Sequence, residues 1–144
     1  MDERETDDEA QIRALIARQF SSLSWKAGGE PDWLAFRKDF LPEARLLPSA
    51  RPVALQSVEG FVARMSGLVG TALRSFDERV LGSTIQIFGN VAVAAVGCEN
   101  VENDSQTNRV VEMMLLVKDE GGWKIAAQAW DKASDALPVP PHLL

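Results

Sequence analysis

Residues 75–131 read SFDERVLGSTIQIFGNVAVAAVGCENVENDSQTNRVVEMMLLVKDEGGWKIAAQAWD, and this stretch decides the fold. It divides into four extended runs rich in Val, Ile, Leu and Phe, each closed by a turn signal. The first runs from Ser75 to Phe88 and ends at Gly89-Asn90; the second runs from Val91 to about Val101 and ends at Asn103-Asp104-Ser105. Arg109 to Lys118 is the third, and Asp119-Glu120-Gly121-Gly122 turns it into the fourth, Trp123 to Asp131. Short polar or glycine turns between long runs predict one antiparallel meander.

Upstream, the apolar period changes from two to between three and four. Ile12, Leu15, Ile16, Phe20 and Leu23 form a helical stripe that ends at Gly28-Gly29, and Thr6-Asp7-Asp8-Glu9 before it has capping-box form. Pro31 suits the start of a second helix with Trp33, Phe36 and Phe40 on its apolar face, stopped by Pro42. Ala44–Leu47 and Pro52–Gln56 read as short, proline-bounded edge strands. Ser57 can cap a third helix carrying Phe61, Val62, Met65 and Leu68, which runs out at Gly67–Gly70. Helices first and a long sheet last predict an α+β cone, with three N-terminal helices packed in the concave face of a strongly curved, mainly antiparallel sheet. Residues 1–6 are expected to be a frayed lead-in, 7–132 the single domain, and 133–144 an extended Pro-rich tail.

The 144 residues suffice for one domain with a real core, and 46% apolar with 25% charged residues is the balance of a globular protein. A net charge of −6, with the 15 Lys and Arg residues scattered, argues against nucleic acid and against an acidic membrane surface as partners. The acidic N-terminus lacks the apolar segment of a signal peptide, and no run is long enough to span a bilayer. Together with a single cysteine, Cys98, this leads to the expectation of a cytoplasmic protein. One cysteine and one histidine give no zinc site, and no phosphate loop or nucleophile elbow occurs; no cofactor and no metal is implied.

Four segments, DWLAFRKDFLPEARLLP (32–48), FDERV (76–80), FGNVAVA (88–94) and GGWKIAAQAWD (121–131), resemble in content and order the nuclear transport factor 2-like superfamily, which includes ketosteroid isomerases and SnoaL-like polyketide cyclases. The likeness spans roughly residues 7–132 and is nearest to bacterial members without an assigned activity. It implies a bent sheet wrapped around helices with a cavity inside the cone, and it implies fold more than function. Many such proteins pair through the outer face of the sheet. The residues support pairing independently: Ala92, Ala94, Val96 and Cys98 make one face of their strand apolar, and Val91, Val93 and Ala95 the other. A sheet apolar on both sides needs two covers, so a homodimer is expected.

The same resemblance implies chemistry that this chain carries only in part. Ketosteroid isomerases use an acidic base and a tyrosine-containing oxyanion hole, and this chain has no tyrosine. SnoaL-like enzymes rely on histidine and aspartate, and the one histidine, His142, lies in the tail, where a disordered placement is expected. Epoxide hydrolases on this scaffold use an Asp-Arg-Asp set, which directs attention to Asp131 and Arg109 on adjacent strands. A three-residue loop ending at Gly121 would set Arg109 opposite Asp131 and Val111, Met113, Leu115 and Val117 opposite Ala129, Ala127, Ile125 and Trp123. An even-length loop would instead mix Glu112 and Lys118 into the Trp123/Ile125 face. The alternative for Arg109 and Asp131 is a peripheral ion pair.

Glu78 and Glu112 each interrupt an apolar strand, where a buried carboxylate needs a partner or a raised pKa; the alternative is a solvent-facing or interface residue. Asp131, Glu78 and Glu112 are therefore the candidate catalytic residues. Trp33, Phe36, Met65, Arg109 and Trp130 are candidates to line a ligand site, although Trp130 and Asp131 point to opposite faces and only one can do so. Trp25 and Trp33 also read as core or rim aromatics, and Cys98 as a small buried hydrophobe. The expected function is binding of a small apolar molecule between helices and sheet. Two alternatives stand beside it: a cofactor-free lyase, isomerase or hydrolase using a carboxylate in that space, and a structural dimerisation module.

Overall fold

A computed structural model describes residues 3–144, less the side chains of residues 4–6. Three helices pack into a curved six-stranded sheet, as expected: α1 Glu3–Leu23, α2 Trp33–Lys38 and α3 Val58–Leu68, with strands β1 Phe40–Leu47, β2 Gln56–Ser57, β3 Phe76–Phe88, β4 Val91–Glu102, β5 Gln106–Asp119 and β6 Gly122–Lys132. The strand order is β2-β1-β6-β5-β4-β3, antiparallel throughout except that β1 runs parallel to β6. The core lies between the helices and the concave face, where Ile12, Leu15 and Ile16 of α1 belong to one buried cluster with Ala94 and Val96 of β4 and Leu116 of β5.

Helix boundaries depart from expectation for identifiable reasons. Helix α1 begins at Glu3, inside the expected lead-in, so Thr6 is not its cap; the Thr6 side chain lies outside the described residues. The helix ends at Leu23 rather than Gly28 because Trp25 exchanges two backbone hydrogen bonds with Phe76 (2.8 and 3.0 Å), which pulls the chain onto β3. Helix α2 is capped by Asp32, whose side chain accepts from Ala35 N, and stops at Lys38 rather than Pro42. There the Asp39 carbonyl accepts from Ile125 N and draws the chain into the sheet. Ser57 caps α3, accepting from Gly60 N at 2.9 Å.

The β1 segment is longer than expected and is not an edge strand: it lies between β2 and β6. Pro42 is tolerated there because the β1–β6 register breaks between Phe40 and Arg45, where no ladder bond is asked of it. The expected strand at Pro52–Gln56 shrinks to Gln56–Ser57, since Ser57 is taken up in capping α3.

The pairing of β5 with β6 corrects the expected register. Asp119 pairs with Gly122 across a two-residue turn, so Lys118 faces Trp123 and Leu116 faces Ile125. A bulge then inserts one extra residue, Ala126, and beyond it Met114 faces Gln128 and Glu112 faces Trp130. Val111, not Arg109, lies opposite Asp131.

The last residues are not disordered. Pro141–Leu143 form one turn of 3-10 helix, and Leu143 is buried against the convex face of the sheet over Gly82 and Gly97. A Cβ on Gly97 would collide with the Leu143 carbonyl, and one on Gly82 would lie 2.8 Å from its carbonyl carbon. His142 stays exposed on that face.

Candidate functional site

Alternation along β3, β4, β5 and β6 sends Glu78, Asn100, Glu112 and Trp130 to the concave side. Together with α1 and α3 they enclose a cavity of about 280 Å³. Its wall is apolar, made by Phe36, Phe61, Met65, Phe76 and Trp130 among others. Phe61 organises that wall, stacking on Phe36 (5.5 Å between centroids) and meeting Trp130 edge-on (5.9 Å). The rim is polar: Arg64, Glu102, Gln106 and Lys132 stand where the strands and α3 run out.

The floor carries two glutamates. Glu78 is 8% exposed and Glu112 5% exposed. Strand β3 is held in place beside α1 by the Trp25–Phe76 bridge, and the Glu78 amide donates to Ser24 Oγ at 3.0 Å. Glu112 is the end of a relay in which Gln19 Nε2 donates to Gln128 Oε1 (2.6 Å) and Gln128 Nε2 donates to Glu112 Oε2 (2.9 Å). Two acceptor atoms lining this space have no protein partner, Glu78 Oε1 and Gln19 Oε1.

Burial disfavours the charged form of both acids. It pushes the Glu78 pKa up to about 7. Glu112 is also held well above the usual carboxylate range, by burial first and by the Glu78 charge second; the hydrogen bond from Gln128 opposes this but does not cancel it. Both acids are thus biased toward the protonated form, and the two titrate as a pair. Burial, then the two glutamate charges, also push the Cys98 thiol upward, which fits an inert side chain.

Of the residues singled out in the sequence, Glu78, Glu112, Phe36, Met65 and Trp130 meet at this cavity. Trp33 does not line it and instead packs edge-on against Phe36 at 5.6 Å. Asp131 is exposed on the convex side. Arg109 is on the convex side too, paired not with Asp131 but with Glu99 at 3.1 Å, which Arg79 also grips at 2.7 Å. Those two arginines, Arg79 first, hold the Glu99 carboxyl below its ordinary range. Sequence reasoning passed over Gln19 and Gln128. Gln19 had a signal: it falls among Ile12, Leu15, Ile16, Phe20 and Leu23 on the buried stripe of α1, where a polar side chain calls for a partner. Gln128 had none, because its facing depends on the bulge at Ala126.

Among the described residues no cluster of three or more His, Cys, Asp or Glu is placed to hold a metal ion, and no helix is long and apolar enough to cross a membrane.

A sequence family described as "Putative lumazine-binding" matches residues 7–131. No curated protein matches the sequence. Solved structures match in fold. An NTF2-like protein with a cystatin-like fold from Novosphingobium aromaticivorans is 17% identical, with a TM-score of 0.75 over 93% of this chain and 88% of that one. An NTF2-like protein of unknown function from Pseudomonas putida KT2440 is 15% identical, with a TM-score of 0.73 over 94% of each chain. A "putative ketosteroid isomerase" from Parabacteroides distasonis is 15% identical, with a TM-score of 0.64 over 87% of each. The curved sheet, the three helices and the match along nearly the whole chain agree: this protein belongs to the "Putative lumazine-binding" family and has the NTF2-like fold.

Proposed function

We propose that this protein binds a small, largely apolar molecule in the cavity between helices and sheet, with the ligand's polar end on the Glu78/Glu112 floor. The observation that carries this reading is the open cavity of about 280 Å³, walled by aromatic groups and ending at two unpartnered acceptors. An apolar cavity of about 150 Å³ accommodates benzene, so this one suits a body of about two fused rings. Lumazine, the two-ring pteridine in the family's description, is a probe of that size. Thermal-shift and calorimetric titration with lumazine and other two-ring compounds is expected to raise the melting temperature and return the compound unchanged. No binding by any of them would remove the reading.

A second reading, an acid–base enzyme without a cofactor, is favoured by one observation: Glu78, at about 7, is poised to exchange a proton beside Glu112, whose pKa burial also raises. Glu78 would take a proton from a carbon atom of the substrate while Glu112 supplies one to the oxygen that gains charge. Under this reading a bound compound is converted in the same titration, and Glu78→Gln abolishes conversion while preserving the fold.

We further propose that a second copy of the chain covers the convex face. Phe88 (86% exposed), Val91, Val93, Met113 and Leu115 lie exposed there beside Thr84 and Gln86. The patch carries no charge, so it complements itself about a two-fold axis better than it would a charged partner. Analytical ultracentrifugation is expected to find a dimer, and Leu115→Lys a monomer with an unchanged circular dichroism spectrum; a monomeric wild type would rule this out.

A further inference from the structure

The polar floor is unusual in what it leaves unpaired. One amide N–H of each glutamine is spent within the relay, from Gln19 to Gln128 and from Gln128 to Glu112. Two buried acceptors of residues lining the cavity are left without a partner, Glu78 Oε1 and Gln19 Oε1, both on side chains more than nine-tenths buried. Buried acceptors without donors are costly, and the ligand that relieves them must bring N–H or O–H groups.

We infer that the cavity selects a hydrogen-bond-donating head group, and foremost a primary ammonium carried on a two-ring apolar body. This deepens the binding reading above and rests on it. An ammonium has three donors and no acceptor, which matches the two unpartnered acceptors, and its charge complements the buried carboxyls. A carboxylate head would meet repulsion and bare acceptors. The cations on the rim, Arg64 and Lys132, do not reverse this, because both are exposed and screened while the glutamates are buried.

The test is a matched series on one body: 2-naphthylmethylamine, 2-naphthylmethanol, 2-acetonaphthone and 2-naphthoic acid, titrated calorimetrically into the full-length protein near neutral pH. The amine is expected to bind tightest, the alcohol next, and the amine to exceed the ketone by about tenfold or more. Glu78→Gln is expected to remove most of that preference while the ketone's affinity stays within about threefold. The ranking on the wild type decides the matter even if the variant folds poorly. A ketone that binds as well as the amine overturns the inference and leaves the cavity as a binding site, with the Glu112 proton turned to the ligand. A carboxylate that binds best overturns it in favour of the rim cations. No binding by any of the four overturns both the inference and the reading beneath it.

Discussion

Phe36→Ala is expected to lower the stability of the folded protein by about 3–5 kcal/mol, read as a fall in the urea midpoint with little change in slope. Phe36 is 1% exposed and is the hub of the aromatic cluster. It touches Trp33 edge-on at 5.6 Å, Phe40 at 5.0 Å and Phe61 at 5.5 Å between ring centroids. These rings sit on α2, the start of β1 and α3, so three elements lose a common contact when the side chain is cut back. Relaxation is limited because α2 is only six residues long and is fixed at both ends, by the Asp32 cap and by the Asp39 backbone bond to Ile125. Phe36 also borders the ligand cavity, so the space it vacates adds to that volume. A cost below about 1 kcal/mol would show that the cluster collapses to fill the gap and that the wall is not rigid.

Glu78→Gln is expected to act in the opposite sense and to depend on pH. The folded pKa of Glu78, about 7, lies above its ordinary value of 4.5. Below about pH 4.5 the side chain is protonated in both folded and unfolded chains and imposes no penalty. As pH rises, the unfolded chain ionises first, so it binds fewer protons than the folded one and stability falls until about pH 7. The rise from 4.5 to about 7 corresponds to about 3 kcal/mol. The pKa of Glu112 is raised in the same direction, by burial first and by the Glu78 charge second. The other groups around this space are Cys98 on β4, kept neutral, and Arg64, Glu102 and Lys132 at the rim. The variant is therefore expected to be more stable than the wild type at pH 8, by up to about 3 kcal/mol, with the gain gone at pH 4.5. Urea unfolding at the two pH values measures it, and an equal difference at both would mean that Glu78 is not titrating in the folded protein. Such a gain on neutralising a residue marks it as kept for a task other than stability.

The fold was legible because its determinants are local. The turn residues Gly89-Asn90, Asn103-Asp104-Ser105 and Asp119–Gly122 lie where β3, β4, β5 and β6 meet, and Ser57 caps α3 as its side chain requires. Positive φ at Asn103, Asp104, Gly89 and Gly122 explains why those residue types announce the turns. Helix ends were less legible, because α1 and α2 stop where tertiary bonds from Phe76 and Ile125 claim the chain, and those partners lie far away in sequence. The glutamates were visible as charges out of place in apolar strands. Arg109 was misplaced because its partner, Glu99, lies on β4, whereas a pattern read along β5 and β6 offered only Asp131.

Ala126 shows how much hangs on counting. Because facing alternates with every residue, a β6 strand one residue shorter at this point would turn Asp131 toward the helices and Trp130 toward the convex side. The inner wall would trade an indole for a carboxylate with no substitution at either position. In this scaffold the loss of a single codon thus rewrites what the interior offers a ligand, and a family built on it can diversify by changes in length as readily as by changes in composition.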